Sequence, residues 1–272
     1  MKPVEQSSKI TFTTFDIETT GLTPVVDRIV EIGAVRFQRG EVLDTFQELV
    51  DPGMPISLGA SSVNGITDEM VQGKPTIEEV LPRFLAFLGD GVPVAHHAPF
   101  DVGFLAYEIS RLNLLVPDQP VLDTCVLPKR LFPYAGSYSL ENLAGFFGIK
   151  SDTFHRALAD AMVCMKILNR CVAEMGGLER VSLSEIFEMN GPSVSLCTGG
   201  VVLDESCHPL QAAIENGNEI EITYRDARGA LSARTITPLS LGVFRGAVMM
   251  EAFCHLRKGK RNFRLDRIVE IR

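Results

Sequence analysis

The sequence lacks several patterns that would place it in other classes of protein. Its six cysteines form no C-x-x-C pair and no zinc-finger spacing, so we read them as reduced cysteines, some of them packed in the core. No apolar run reaches the roughly 18 residues of a membrane-spanning helix, and the start MKPVEQSSKITF has no apolar segment of signal-peptide length. We therefore expect a cytoplasmic protein with no membrane partner.

Positive charge is scarce in the first part of the chain. Residues 1–200 carry 15 lysines and arginines against 25 acids, a net −10, whereas residues 201–272 carry 11 against 9, a net +2. The first part therefore lacks the broad basic face that tight binding to duplex nucleic acid requires.

Four acids and one histidine stand in three short, largely apolar segments. An ionised carboxylate in apolar surroundings is costly unless positive charge lies beside it. The two acids of FDIETTGL are two residues apart on a predicted strand and share a face, and the other two lie on the apolar stripes of predicted helices. The residues are Asp16 and Glu18 in FDIETTGL, Asp101 in HHAPFD, and His155 and Asp160 in HRALAD.

Oxygen ligands without thiolates suit Mg²⁺ or Mn²⁺, which proteins usually share with substrate phosphates. Two such ions about 4 Å apart can stabilise both the attacking and the leaving oxygen of a phosphoryl displacement. The chemistry indicated is phosphodiester hydrolysis, in which His155 would act as the general base that takes a proton from water.

The three segments DIETTG, H-x-A-x-F-D and H-x-A-x-x-D resemble the exonuclease motifs of the DEDDh 3′–5′ exonucleases, in the type of the DNA polymerase III epsilon subunit, over roughly residues 9–175. The resemblance implies a ribonuclease-H-like fold, two divalent metal ions and the histidine base. It assigns the metal to Asp16, Glu18, Asp101 and Asp160, and contact with the terminal nucleotide to Thr19, Leu22 and Phe100. His97 stands where the family usually has asparagine, which affects a local hydrogen bond or a substrate contact.

The coarse secondary structure predicts an α/β fold. Strand-like segments at 10–18, 28–37 and 42–50 form a meander, and Thr76 with Glu79 predicts a capping box for a helix to about residue 88. Short strands then alternate with helices, which predicts a mixed sheet flanked by helices. These later elements lie near 92–95, 100–112, 121–124, 139–147 and 157–175.

We predict an exonuclease domain at 1–176, a helix and linker at 177–204 and a second domain at 205–272. After a short helix, the second domain has strand-like runs near 219–225, 233–243, 248–256 and 262–271, which predict a small β-barrel.

The second domain resembles a WYL domain, a family with an Sm/SH3-like fold that is associated with ligand sensing or nucleic-acid binding. The likeness rests on segments such as TPL at 237–239 and EAFCHLR at 251–257, although Val248-Met249-Met250 replaces the name-giving Trp-Tyr-Leu. Arg257, Arg264 and Arg267 match, and they would contact nucleic acid or a ligand. A solvated basic edge is the alternative reading.

The sequence thus predicts a metal-dependent 3′–5′ exonuclease acting on single-stranded nucleic acid, with DNA favoured over RNA. RNA or short oligoribonucleotides are an alternative substrate. A second alternative is a regulatory protein led by the WYL-like domain, whose partner would be a small ligand or a protein. The oligomeric state is left open.

Overall fold

The computed structural model describes residues 10–24, 26–151, 154–191, 193–196, 208–226, 229–244 and 247–271. The chain divides into two compact units, Met1–Gly21 with Ile29–Gly200 and Leu22–Arg28 with Val201–Arg272. The domain boundaries at 176 and 204 stay a prediction, and the second falls outside the described residues. No described helix is both long and apolar enough to cross a membrane.

The first unit is built on a five-stranded mixed sheet. Its strands are β1 Phe12–Thr19, β2 Ile29–Gln38, β3 Glu41–Leu49, β4 Val92–Ala95 and β5 Leu122–Asp123. They lie in the order β3-β2-β1-β4-β5, with β1 antiparallel to β2 and parallel to β4. The predicted mixed sheet is confirmed, and β1 lies at its centre.

Helices cover both faces of this sheet. They are α1 Leu58–Asn64, α2 Asp68–Val71, α3 Ile77–Leu88, α4 Pro99–Arg111, α5 Val126–Leu131, α6 Leu140–Phe147, α7 Ala157–Glu174 and α8 Leu183–Asn190. Phe12 of β1 enters the core that contains α7, whereas Phe15 enters the core that contains α3 and α4. This odd spacing places the two rings on opposite faces of the strand.

The predicted helices near 76–88, 100–112, 139–147 and 157–175 are confirmed to within one or two residues. Thr76 and Glu79 form the predicted capping box, and α3 continues past Pro82. The short helices α1, α2 and α5 were not predicted, because four to seven residues carry too little periodicity to separate them from loops.

The second unit contains one described helix and one antiparallel sheet. They are α9 His208–Asn216, β6 Ile220–Arg225, β7 Leu231–Phe244, β8 Ala247–Cys254, β9 Gly259–Arg264 and β10 Ile268–Ile271. The order β10-β6-β7-β8-β9 leaves the described sheet open, so the predicted closed barrel is not confirmed. The prediction of one last strand at 262–271 is wrong, because a 3₁₀ turn at Leu265–Arg267 separates β9 from β10.

Candidate functional site

Three of the four predicted acids meet where β1 faces the start of α7. Asp16 and Glu18 lie on one face of β1, and Asp160 lies in the first turn of α7. One carboxylate oxygen from each of these three residues lies within 4.8 Å of the others. Side chains from two elements far apart in sequence therefore form one acidic cluster, as the sequence predicts.

Gly33 allows α7 to come this close to the sheet. It pairs with Asp16 across β1 and β2. A Cβ atom at this position would lie 2.1 Å from the backbone nitrogen of Leu158 and 2.2 Å from the carbonyl carbon of Ala157. Only glycine permits such backbone contact, so Gly33 lets the first turn of α7 rest directly on β2 beside Asp16.

Asp101 lies in the first turn of α4 and reaches the other edge of β1. The pairing of β4 with β1 ends at Thr14, and the backbone N–H of Ile17 donates to Asp101 Oδ1 at 3.0 Å. Asp101 is buried and lies outside the group of three acids. Its charge nevertheless contributes to the raised pKa of Asp16, so it borders the cluster.

The cluster is electrostatically unfavourable without a cation. Burial, followed by repulsion from Asp101, Asp160 and Glu18, raises the pKa of Asp16 well above its usual value, and burial also raises the pKa of Asp101. Burial and the charge of Asp160 raise the pKa of Glu18 to about 7. Burial raises the pKa of Asp160 to about 6, although the backbone N–H of His155 opposes this shift. Like charges that share a buried site resist ionising together.

Asp160 also has an oxygen without a partner. Its Oδ2 accepts the backbone N–H of His155 at 2.9 Å, but its buried Oδ1 has no hydrogen-bond partner among the described residues. A buried acceptor that is left unsatisfied is expensive, and native proteins rarely keep one without a reason. Three crowded carboxylates, one of which has an oxygen without a partner, are a suitable donor set for a hard divalent cation.

A buried ion pair beside the cluster was not predicted from the sequence. Glu31 of β2 lies opposite Glu18, and it is fully buried. Nε and one terminal nitrogen of Arg156 donate to its two oxygens at 3.0 and 2.8 Å, and the backbone N–H of Ala157 donates at 3.1 Å. Burial opposes ionisation of Glu31, but bonds from Arg156, Gln47 and Ala157 outweigh it and lower its pKa.

Glu31 therefore anchors the residues on either side of the start of α7. The signal for it was present in the sequence, since Glu31 is an acid inside the apolar run IVEIGAV and Arg156 directly follows His155. A sequence gives no cross-strand register, and the pairing was missed for that reason.

His155 approaches the cluster through its backbone. Its φ of 60° places it in the left-handed region. Its imidazole is exposed, with Nε2 3.5 Å from Oε1 of Glu141 in the first turn of α6. The imidazole is not a member of the three-acid group, although its charge partly opposes the rise in the pKa of Asp160 that burial causes.

The residues expected at the terminal nucleotide differ in exposure. Thr19 is buried, and its hydroxyl donates to the carbonyl of Gly21. Leu22 is 82% exposed, and the ring of Phe100 packs against Phe104 with centroids 5.2 Å apart. Their roles as nucleotide contacts stay a prediction.

Asn64 is a further polar neighbour of the cluster. Its side chain hydrogen-bonds Glu18, which lowers the pKa of that carboxyl, and it also donates to the carbonyl of Thr19 at 3.4 Å.

The backbone explains how histidine fits at position 97. His97 has φ 60°, a conformation in which asparagine and histidine are both enriched. Its backbone N–H donates to Asp123 Oδ1 at 2.9 Å, and its side chain is exposed. The exchange from asparagine therefore keeps the backbone conformation and leaves the imidazole directed to solvent.

The C-terminal arginines lie on or beside the last two strands of the second unit. Arg257 is exposed in the turn after β8, whereas Arg264 and Arg267 are half-buried. The backbone N–H of Arg264 donates to the Tyr224 hydroxyl at 3.3 Å. Their contacts with nucleic acid or a ligand stay a prediction.

Two families match the sequence. Residues 13–168 match RNase_T, described as an exonuclease, and residues 205–272 match the WYL domain. Among curated proteins, the DNA polymerase III PolC-type of Thermotoga maritima is 43% identical over 176 residues, which cover 65% of this chain and 13% of that protein. Its counterpart in Caldanaerobacter subterraneus is 41% identical over 182 residues, covering 67% and 13%. The chain thus spans a small part of these relatives.

Solved structures share the fold of the first unit. Exonuclease X in complex with 5′ overhanging duplex DNA has a TM-score of 0.53 at 29% identity, over 66% of this chain and 99% of that one. The nuclease domain of 3′hExo, a DEDDh family member bound to rAMP, has a TM-score of 0.52 at 22% identity, over 63% and 96%. The zinc-bound E. coli ExoI–ssDNA complex has a TM-score of 0.57 at 19% identity, over 90% and 54%. The last two likenesses concern the fold alone.

Proposed function

Because the chain belongs to the DEDDh 3′–5′ exonuclease family and carries a C-terminal WYL domain, we propose that it removes nucleotides from the 3′ ends of single-stranded nucleic acid. The observation that carries this proposal is the cluster of Asp16, Glu18 and Asp160, whose carboxylate oxygens lie within 4.8 Å of one another. The rest of the chemistry is assigned from the residues around this cluster.

Asp16, Glu18, Asp101 and Asp160 would hold two divalent ions, Mg²⁺ or Mn²⁺. The unpartnered, buried Oδ1 of Asp160 and the raised pKa values of the acids support this assignment, since bound cations would remove both penalties. When bound, such ions lower the pKa of water and stabilise negative charge on the phosphate oxygens. The four carboxylates come from β1, α4 and α7, which are fixed in the core of the first unit.

His155 would be the general base. A neutral imidazole can accept a proton near neutral pH, and this one is half-exposed and therefore reachable by water. Glu141, 3.5 Å from Nε2, can orient the ring and balance its charge once it is protonated. The left-handed backbone at His155 directs its N–H to Asp160, so base and ligand share one short segment.

DNA is the preferred substrate of this proposal. Exonuclease X, whose complex contains DNA, is the solved structure above with 29% identity, and the curated relatives are PolC-type DNA polymerases. RNA remains the alternative substrate, because discrimination at the 2′-hydroxyl depends on pocket shape.

The second unit would add a nucleic-acid or ligand contact through Arg257, Arg264 and Arg267. An Sm/SH3-like barrel is supported by two features of the open sheet. The last strand pairs with the first of the unit, and a register shift in β7 at Pro238 to Ser240 can bend the sheet. A ligand sensor is the alternative role for this unit.

The proposal is tested with matched DNA and RNA strands whose 3′ ends are either free or blocked by an inverted nucleotide. We expect Mg²⁺-dependent loss of nucleotides from free 3′ ends only, and faster loss from DNA. Equal digestion of blocked strands would contradict the 3′–5′ assignment. Binding without any turnover in Mg²⁺ or Mn²⁺ would favour the regulatory alternative.

A further inference from the structure

An exposed aromatic pair lies outside the residues that the proposed chemistry uses. Tyr134, in the loop between α5 and α6, is 72% exposed, and Phe146 of α6 is 41% exposed. Their ring centroids are 5.9 Å apart. We call these two residues the aromatic patch. Large aromatic surface left in water is unfavourable unless a partner covers it.

The patch packs against two further rings, the buried Phe132 and the partly buried Phe147. Phe132 is buried, and its ring centroid lies 6.4 Å from Tyr134 and 6.0 Å from Phe146. Phe147 packs edge-on against both Phe132 and Phe146 at 4.9 Å. A preformed surface of this kind loses little conformational entropy when a partner binds.

The loop and helix start that follow Tyr134 contact two of the proposed catalytic segments, HHAPFD and HRALAD. The backbone of Tyr138 hydrogen-bonds the partly buried ring of His96, which belongs to the segment HHAPFD. Glu141, three residues further on, lies 3.5 Å from the imidazole of His155. The aromatic patch therefore belongs to the loop and helix that border the acidic cluster on the side of His155.

The positive charge beside this loop suits a nucleic-acid strand, which carries phosphates as well as nucleobases. In the first unit, whose charged residues are mostly acidic, the last turn of α5 carries the exposed residues Lys129 and Arg130. The Lys129 ammonium lies 5.7 Å above the ring of Tyr138. Arg130 donates to the carbonyl of Met189 at 2.9 Å, so it serves the end of α8. Lys129 is thus an exposed cation beside this loop that can meet a phosphate.

We propose that the aromatic patch is a stacking surface for unpaired nucleotides on the 5′ side of the nucleotide being removed, with Lys129 facing their phosphates. Bases stack on exposed aromatic rings irrespective of sequence, but only when they are unpaired. This inference rests on the proposed function and narrows its substrate to single strands several nucleotides long.

A length series tests the inference by activity. Stacking of one base changes affinity by roughly 5-fold to 100-fold. We expect Tyr134→Ala to reduce kcat/KM on an eight-nucleotide strand by about that factor and to leave dinucleotide hydrolysis unchanged. Tyr134→Phe should keep the full rate, because it retains the stacking ring. Leu115→Ala is the matched control, since Leu115 is also highly exposed but lies outside the patch.

Fluorescence gives a second readout that does not require turnover. The chain has no tryptophan, so Tyr134→Trp would carry the only one. We expect oligo(dT) to quench this tryptophan in EDTA or Mg²⁺, and to leave a tryptophan at position 115, introduced by Leu115→Trp, unaffected.

Failure of the inference is distinguishable from failure of the proposed function. If the wild type cuts strands of all lengths and Tyr134→Ala has the wild-type kcat/KM at every length, the stacking surface is wrong and the exonuclease function is unaffected. An equal loss on dinucleotide and long strand would indicate a structural role for Tyr134 and would also contradict the inference. If the wild type cuts nothing, the proposed function fails, and unquenched tryptophan at position 134 would then reject the stacking surface as well.

Discussion

At the scale of single residues, the site combines acids that are costly to keep together. A buried carboxylate is stabilised in its charged form only by a nearby positive charge or by hydrogen bonds. Glu31 has both, in Arg156 and Ala157, and its pKa falls, whereas Asp16, Glu18 and Asp160 have raised pKa values. The contrast between these neighbours shows that Glu31 is neutralised by protein groups, whereas a bound cation would stabilise the charged forms of Asp16, Glu18 and Asp160.

Glu18 provides a prediction for the dependence of stability on pH. Its pKa in the metal-free fold is about 7, above the value of about 4.3 for an unperturbed glutamate. The folded state therefore binds more protons than the unfolded state between these values, so the contribution of Glu18 to the free energy of unfolding is lost as pH rises through this window. In thermal denaturation with EDTA, Tm should fall more steeply from pH 5 to pH 8 in wild type than in Glu18→Gln. Parallel curves for the two proteins would contradict the raised pKa.

His155 provides a prediction for kcat. Asparagine is the suitable replacement, because it tolerates the left-handed backbone of His155 and keeps the N–H that bonds Asp160. If the imidazole takes the proton from water, His155→Asn should lose about 10² to 10⁴ in kcat with little change in KM. Steady-state kinetics with Mg²⁺ measures this. A kcat within a few-fold of wild type would show that this imidazole is not the base.

At the scale of secondary-structure elements, the contact between β2 and the start of α7 positions His155 and Asp160, the proposed base and one of the proposed metal ligands. Gly33 allows the backbones to touch, and Glu31 holds Arg156 and Ala157 on either side of their shared peptide bond. His155 and Asp160 flank this anchor, one just before it and one in the first turn of α7. A small displacement of the helix start would therefore move both of them.

This geometry predicts that Glu31 acts through His155. Glu31→Gln should lower kcat by up to roughly 10²-fold, since a misplacement of about 1 Å can cost that much. In a His155→Asn background the same change should cost far less, because residues that act as a unit are not additive.

The control is Glu108→Gln, which removes another buried carboxylate paired with an arginine, Arg111 at 2.7 Å. It should reduce Tm without this coupling to His155. Additive losses of kcat in the Glu31 and His155 double variant would show that the Glu31–Arg156 pair has a purely structural role.

The sequence predicted the elements that have strong local signals. Alternation identified β1, the strand-like segment at 28–37 identified β2, and the capping residues Thr76 and Glu79 identified α3. It did not predict the break at Leu265–Arg267, because the residues on both sides have strand-like composition and the turn has no glycine or proline. The acidic cluster was predicted from acids in apolar sequence, whereas the Glu31–Arg156 pair depends on strand register and helix docking, which local patterns do not encode.

At the scale of the whole molecule, charge is divided unequally between the two parts of the chain. Residues 1–200 have a net charge of −10 from 15 basic and 25 acidic residues, and the end of the chain from 257 to 272 has seven basic residues and two acids. A contact with nucleic-acid phosphates is therefore easier to form near the C-terminal end.

The salt dependence of binding measures this contribution. Arg257 and Arg261 are exposed, and each phosphate that a side chain neutralises on a single strand adds about 0.7 to the slope of log affinity against log salt. The full chain with Arg257→Gln and Arg261→Gln should show a slope shallower by up to about 1.4 than wild type, from two such contacts. An unchanged slope would remove these two side chains from phosphate binding and favour a small ligand or a protein partner for the second unit.

If Asp16, Glu18 and Asp160 form the metal site of a 3′–5′ exonuclease, digestion should depend on both the metal and Asp160. Release of nucleotides from a 5′-labelled single-stranded DNA is followed in Mg²⁺ and in EDTA, for wild type and for Asp160→Asn, which keeps an acceptor for the His155 N–H. We expect a ladder that shortens from the 3′ end for wild type in Mg²⁺ and for no other combination. The Asp160→Asn protein should have an equal or higher Tm without metal, because repulsion is relieved. Near-normal hydrolysis by Asp160→Asn, or turnover of the wild type in EDTA, would show that these acids are not the metal site.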